Sequence, residues 1–276
     1  MKSFKIGITG VKGYLGAHLY QYLINNDKSN QIIPFDPRVD SIPSKLDIIY
    51  HLGSGSPKQY RNDPQAVKRI DVKTANIIGE YCCFNKTKLI FCSSASVYNP
   101  SKNLISENNH SKPSSNYGKS KLETEKILKE YSKSNFSLII FRLFNLYGPN
   151  QSESFLIPQV INAITKKKHL IIKSPNSIRD FIYIDDCLHI LSKSKEIFNR
   201  SILLNMGTGK GISVSMVVDK IKKELKARNS STIIFNNQKG DYLDSYVADE
   251  TRLKKHIEKF SFINFEDGLL KIINRL

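Results

Sequence analysis

The feature that most restricts this chain is an alternation, through its first half, of short apolar runs with longer amphipathic stretches. Phe4–Thr9, Gln31–Phe35, Asp47–Leu52, Lys88–Cys92 and Leu138–Leu143 have the length and the Ile and Phe content of strands. Between them, Tyr14–Asn25, Pro64–Asn85 and Tyr117–Lys133 carry helical spacing. Strands separated by helices are joined by crossovers, and right-handed crossovers build a parallel sheet covered on both faces. The expected class is therefore α/β with a doubly wound sheet. The stretch from Pro34 to Leu46 is short for a full crossover, so one peripheral element is expected to be missing. After Pro149 the pattern loosens into shorter pieces, without a repeat or a low-complexity linker.

Composition enters where partners are concerned. The formal charge is +17, from 42 Lys and Arg against 25 Asp and Glu. The lysines are scattered at helical spacing, as in Lys220, Lys222, Lys223 and Lys226, and the one dense run, Lys166-Lys167-Lys168, has no interleaved aromatics. That pattern fits solvated helix faces that steer an anionic substrate, with no nucleic-acid partner. Cys82, Cys83, Cys92 and Cys187 have neither metal-ligand nor CxxC spacing, so no metal is expected and the thiols read as buried apolar groups in a reducing compartment. No secretory leader pattern and no run of membrane-spanning length occurs, which places the chain in the cytoplasm, away from membranes.

The first strand leads into Gly10-Val-Lys-Gly13-Tyr14-Leu15-Gly16 and then a helix. Gly10 suits a tight turn, Gly13 a close approach of backbone to a pyrophosphate, and Gly16 helix–sheet packing. The helix N-terminus offers free N–H groups to phosphate. Asp36 stands at the end of the second strand, placed to accept the two ribose hydroxyls of NAD and to repel a 2′-phosphate. Flanked by Pro34 and Pro37, it also suits a turn, and nearby Arg38 keeps NADP open. Together these details make the sheet Rossmann-type.

Tyr117 and Lys121 stand at i and i+4, on one helix face. An ammonium beside a phenol favours the phenolate, which can act as base and then acid on a sugar hydroxyl. Strand Lys88–Cys92 runs into Ser93-Ser94-Ala95-Ser96-Val97-Tyr98 at the sheet edge where ligands bind, so Ser94 can address the same oxygen.

These segments resemble the extended short-chain dehydrogenases, specifically the NAD-dependent epimerase/dehydratase group. Arg142-Leu-Phe-Asn145-Leu-Tyr-Gly-Pro149, Arg179-Asp-Phe-Ile-Tyr-Ile-Asp-Asp186, Asn205-Met-Gly-Thr-Gly209, Lys239-Gly-Asp241 and Phe262–Leu270 are similar to its later landmarks, in order. The resemblance implies Ser94, Tyr117 and Lys121 as the catalytic set. It implies a cofactor set of Gly10, Gly13, Tyr14, Leu15, Gly16, Asp36, Leu52, Gly53, Ser54, Tyr117 and Lys121. Ser94, Asn145, Leu156, Arg179 and Asp241 would meet a nucleotide-sugar. His51 reads as a packed strand residue. Residues 1–150 would be the NAD-binding domain, to which about 179–206 return; 151–178 and 207–276 would form a smaller C-terminal substrate-binding lobe. A homodimer through Pro64–Asn85 and Tyr117–Lys133 is implied as well.

Departures sharpen the reading. Asp71 stands where an Asn is usual, Thr74-Ala75 replaces Gly-Thr, Gln238 replaces an Arg, and Phe155 replaces a polar residue. Sugar 4,6-dehydratases carry an Asp-Glu pair where this chain has Ala95 and Ser96, which argues against dehydration. The expected activity is 4-epimerisation of a nucleotide-hexose through a transient 4-keto sugar. The alternatives are an NAD(P)H-dependent reductase of a nucleotide-4-keto-6-deoxy sugar and, from another class, a non-catalytic NAD(P) sensor; the intact Tyr117/Lys121 pair disfavours the sensor.

Overall fold

The computed structural model describes residues 3–133, 136–197, 201–227, 233–236, 244–257 and 260–276. The chain runs β1 (Lys5–Thr9), α1 (Tyr14–Asn26), β2 (Gln31–Pro34), β3 (Ile48–His51), α2 (Pro57–Asn62), α3 (Pro64–Asn85), β4 (Lys88–Ser94), α4 (Asn116–Ser132) and β5 (Leu138–Leu143). It continues through β6 (Asn145–Tyr147), α5 (Leu156–Thr165), β7 (Leu170–Ile172), β8 (Ile178–Tyr183), α6 (Ile184–Ile197) and β9 (Ile202–Met206). It ends with β10 (Gly211–Ser213), α7 (Val214–Glu224), β11 (Ile233–Phe235), β12 (Ser245–Tyr246), α8 (Thr251–His256) and α9 (Phe265–Ile273).

Six parallel strands form the large sheet in the order β2-β1-β3-β4-β5-β9. Its middle strands are apolar on both sides because both faces are covered. In β3, Ile48 and Tyr50 join the core shared with α1 and α6, while Ile49 joins the core shared with α3 and α4. The crossover expected to be missing is indeed absent: no helix separates β2 from β3, and β2 is left as an edge strand ending in Pro34. Proline is tolerated on an edge because it withdraws no ladder donor needed by a neighbour.

Strand limits differ from the sequence reading at informative places. The first strand starts at Lys5 because the Phe4 N–H donates to Asn30 Oδ1 (2.7 Å). The fourth continues past Cys92, because Ser93 and Ser94 still pair with Arg142 and Leu143. That extension carries the serines to the carboxyl edge of the sheet.

A second, mixed sheet has the order β10-β8-β12, with β6 also on β8. β8 therefore does not return to the large sheet, contrary to the expected boundary at residue 179; the return is made by α6, packed on α1, and by β9. β7 and β11 pair with each other. Asp180 ties the second sheet together. Its buried carboxylate accepts the Thr208 and Gly209 N–H groups, the Thr208 hydroxyl and the Ala248 N–H. The lysine run 166–168 closes the C-terminal end of α5, where cations meet the negative end of the helix dipole. Among the described residues no helix is long and apolar enough to cross a membrane.

Candidate active site

The glycine turn is built as a cradle. Gly10 has φ +75°, and a Cβ there would lie 2.5 Å from the Gly53 nitrogen. A Cβ on Gly16 would lie 2.1 Å from the Gly10 oxygen, so both positions exclude a side chain. Gly13 is the N-cap of α1, which has no side-chain cap and no acidic residue in its first turn. Its N-terminal donors are thus left for an anion. Thr9 Oγ1 accepts the Leu52 and Gly53 N–H groups (3.2 and 3.0 Å), so its own proton goes to His51 Nδ1 at 2.9 Å. His51 is stacked on Phe91, and burial, helped by the Lys121 charge, pushes its pKa down to about 3. It is a neutral packing residue that locks the β1 and β3 ends together. These features fit a dinucleotide lying across the turn, with Gly53 and Ser54 on the loop after β3.

Asp36 is at the expected strand end but is not a free acceptor. Arg38 Nε and Nη2 donate to its two oxygens at 2.7 and 2.5 Å, and the Arg38 N–H adds a third bond. Those bonds hold the Asp36 carboxyl below its ordinary range.

Ser115 caps α4 by accepting the Gly118 N–H (3.0 Å), which places Tyr117 in the first turn. A Cβ on Gly118 would lie 2.1 Å from the Ser96 oxygen, so the helix start rests directly on the turn after β4. Lys121 Nζ donates to the Cys92 carbonyl (2.8 Å) and lies 5.9 Å from the Tyr117 ring centre. Ser94 Oγ accepts the Ser96 N–H (3.1 Å) and lies 3.2 Å from Ser96 Oγ. Ser94, Ser96 and Tyr117 face a common cleft.

Below them lies a polar layer that the sequence reading did not assemble. Glu125, fully buried, accepts Ser93 Oγ (2.6 Å) and a two-pronged bond from Arg142 (2.9 and 2.7 Å). Arg142 also sits 4.6 Å from the Tyr98 ring centre, and Tyr98 Oη donates to Asn205. The signal was present: Glu125 lies four residues after Lys121 on the sheet-facing side of the helix, where a carboxylate must find a cation.

The cleft measures about 640 Å³, and Ser94, Tyr117, Asn145, Lys173 and Arg179 are among the residues that line it. Tyr14, Leu15 and Leu156 contribute apolar wall, and Phe155 stands exposed beside Leu156. Asn145 Nδ2 donates to the Asp180 carbonyl (3.1 Å), which fixes its side chain on β6. Arg179 is in the cleft but already paired: Nη2 donates to Asp244 Oδ2 (2.6 Å), and Nη1 to the Ile178 and Asp244 carbonyls. Asp241, with Gln238 and Lys239, lies outside the described residues. Among the described residues no cluster of three or more His, Cys, Asp or Glu is arranged to hold a metal.

The class defined by this fold and site has a matching family model. The NAD dependent epimerase/dehydratase family matches residues 6–197, and the chain belongs to that family. It is 26% identical, over 96% of its length and 95% of the relative's, to an uncharacterised UDP-glucose epimerase, YtcB, of Bacillus subtilis. It is 28% identical, over 98% and 96%, to dTDP-4-dehydro-6-deoxyglucose reductase of Escherichia coli. In fold it is similar to UDP-glucuronic acid 4-epimerase from Bacillus cereus, solved with UDP-glucuronic acid and NAD, with a TM-score of 0.86, 24% identity and 98% coverage of each chain.

Proposed function

We propose that this protein is an NAD-dependent epimerase that inverts C4 of a nucleotide-linked hexose. The observation carrying this reading is the cleft itself. Ser94 and Tyr117 line it, with Lys121 fixed on the Cys92 carbonyl, and the cations Lys173 and Arg179 line it too. A sugar at Ser94 and Tyr117 would have those two cations in the same cleft for its diphosphate.

The glycine cradle, the Leu52–Ser54 loop and Lys121 would hold the cofactor, with Asp36 at its ribose once Arg38 yields. When bound, NAD supplies the acceptor and donor of the C4 hydride. Tyr117, with the Lys121 ammonium 5.9 Å from its ring centre, would remove the C4 hydroxyl proton while Ser94 orients that oxygen. The apolar walls at Leu143, Leu146 and Phe181 give the oxidised ring few polar anchors, so it can present its other face. Tyr117 then returns the proton. Among the described residues no Asp or Glu lines the cleft to remove a C5 proton, in line with Ala95 and Ser96 at the positions of the dehydratase pair. A homodimer through α3 and α4 belongs to the same reading; α3 presents Ile70 and Phe84 to solvent.

A second reading, a 4-ketoreductase, draws support from the adenosine side. There the absent crossover and the Asp36–Arg38 pair leave fewer groups to retain a cofactor through turnover.

The test is to denature purified protein and identify the nucleotide released, then to assay UDP-, dTDP-, GDP- and CDP-hexoses for inversion at C4. Near-stoichiometric NAD with inversion is the expected result. NADP(H) or no nucleotide, with reduction of a nucleotide-4-keto-6-deoxy sugar, would put the reductase in its place. Tyr117→Phe is expected to lower turnover by about 10²–10⁴-fold; a fully active variant would remove the catalytic assignment.

A further inference from the structure

Three buried side chains beside the catalytic phenol have no part in the mechanism above. Tyr60 from α2, Asp71 from α3 and Ser120 from α4 are respectively 3%, 7% and 1% exposed. Tyr60 Oη lies 2.8 Å from Asp71 Oδ2 and in close contact with Ser120 Oγ. The Gly55 N–H reaches both Asp71 oxygens, at 3.0 and 3.2 Å. The Tyr60 ring meets the Tyr117 ring edge-on, 5.9 Å between centres and 64° between planes.

Proton counting orders this cluster. Tyr60 has one phenolic proton, and the carboxylate is the stronger acceptor. Ser120 therefore donates to Tyr60, and Tyr60 donates to Asp71. The chain begins on the helix residue between Tyr117 and Lys121 and ends, through Asp71, on the loop that follows Leu52–Ser54. An Asn at position 71 has one acceptor oxygen for the two donors, Tyr60 Oη and Gly55 N, and adds an amide that needs an acceptor of its own. The packing leaves little slack. A Cβ on Gly55 would lie 2.0 Å from Val67 and 2.8 Å from the Tyr60 ring, so loop, α2 and α3 are wedged together.

We propose that Asp71 and Tyr60 are positioning residues that hold the Tyr117 phenol at its working place between the cofactor loop and the start of α4. This rests on Tyr117 as the acid/base, but not on the identity of the sugar. Asp71 and Tyr60 act as one unit through a shared hydrogen bond, and Tyr60 carries it to the Tyr117 ring by edge contact and to Ser120 on the same helix.

The experiment uses the full-length protein and the variants Tyr60→Phe, Asp71→Asn and the double variant, each first shown by circular dichroism to be folded. Tyr60→Phe keeps the ring and removes only the hydroxyl. Two readouts are taken: kcat and KM on whichever nucleotide-hexose the wild type converts, with NADH affinity by calorimetry, and the rate of Tyr117 acetylation by N-acetylimidazole, followed by peptide mass spectrometry. Expected is a fall in kcat of about tenfold to a hundredfold in each single variant. KM and NADH affinity should stay within about threefold, and the double variant should be no worse than the singles. Tyr117 acetylation should change at least about fivefold in the same variants, a threshold above the scatter of related sites. Unchanged labelling, or losses that add in the double variant and follow NADH affinity, would overturn the proposal. If the wild type converts no nucleotide-hexose, the functional reading fails, and the labelling rates alone decide the positioning role.

Discussion

The centre of the large sheet and its two flanks handle charge in opposite ways. At the centre, Lys121, Glu125 and Arg142 are buried and bonded to partners within the fold: a strand carbonyl, a serine and each other. At the flanks, charges that the proposed function would use to grip a ligand grip one another, Asp36 with Arg38 and Arg179 with Asp244. The central layer is thus built from the fold's own groups, whereas on the proposed function binding at either flank would exchange ion-pair partners.

Breaking the centre gives the largest expected effect. Glu125→Ala leaves Arg142 buried without its carboxylate and should cost about 3–5 kcal/mol in urea unfolding. A loss below about 1 kcal/mol would show that the layer is not the rigid base described here. Asp186 is the contrasting buried carboxylate, because its only described hydrogen bond comes from the Ile263 N–H (3.0 Å). Burial, with the Asp185 charge, pushes its pKa up to about 6, while Lys271 and the Ile263 bond oppose the rise. The folded state therefore prefers the protonated acid, and the stability this contributes is present at low pH and lost as pH rises through about 6. Asp186→Asn keeps an acceptor for Ile263 and should gain on the order of 2 kcal/mol over wild type at pH 8 and nothing at pH 4. Equal gains at both pH values would reject titration as the cause.

The flank predictions are smaller and opposite in sign to ordinary loss of function. Arg38→Ala frees Asp36 and should tighten NAD by up to roughly fivefold while weakening NADP, read by calorimetry. Weaker NAD binding would mean that Arg38 itself holds the cofactor. Asp244→Ala should tighten UDP by roughly threefold, with the difference from wild type fading at high salt. No change would show that Arg179 is available despite its partner.

The first half of the fold is legible in the sequence because its strands are apolar on both faces and its helices are amphipathic. Local pattern then equals burial, and Leu138–Leu143 and Pro64–Asn85 fall where the residues place them. The second sheet was not legible. Its strands run two to six residues, and β8 pairs with β6, β10 and β12, partners dictated by long-range packing. Within the site, Gly10, Gly16, Ser94, Tyr117 and Lys121 could be named, since each serves backbone geometry or sits one helical turn from its partner. The Asp36–Arg38 and Arg179–Asp244 pairings could not: one turns on a rotamer choice at a loop tip, the other joins residues 65 apart. Asp71 could be singled out as unusual, but its link to Tyr60 and Ser120 needs three helices in place.

The path of the chain between β5 and β9 has a consequence for folding. The polypeptide leaves the large sheet after Leu143, forms β6, α5, β7, β8 and α6, and only then supplies β9, which pairs with β5. The last strand of the dinucleotide-binding layer is therefore synthesised after most of the cleft's far wall. Closing that loop belongs to the late, high-contact-order part of assembly. A ribosome-bound chain stopped near residue 150 would present β5 as a bare apolar edge, open to pairing with another chain.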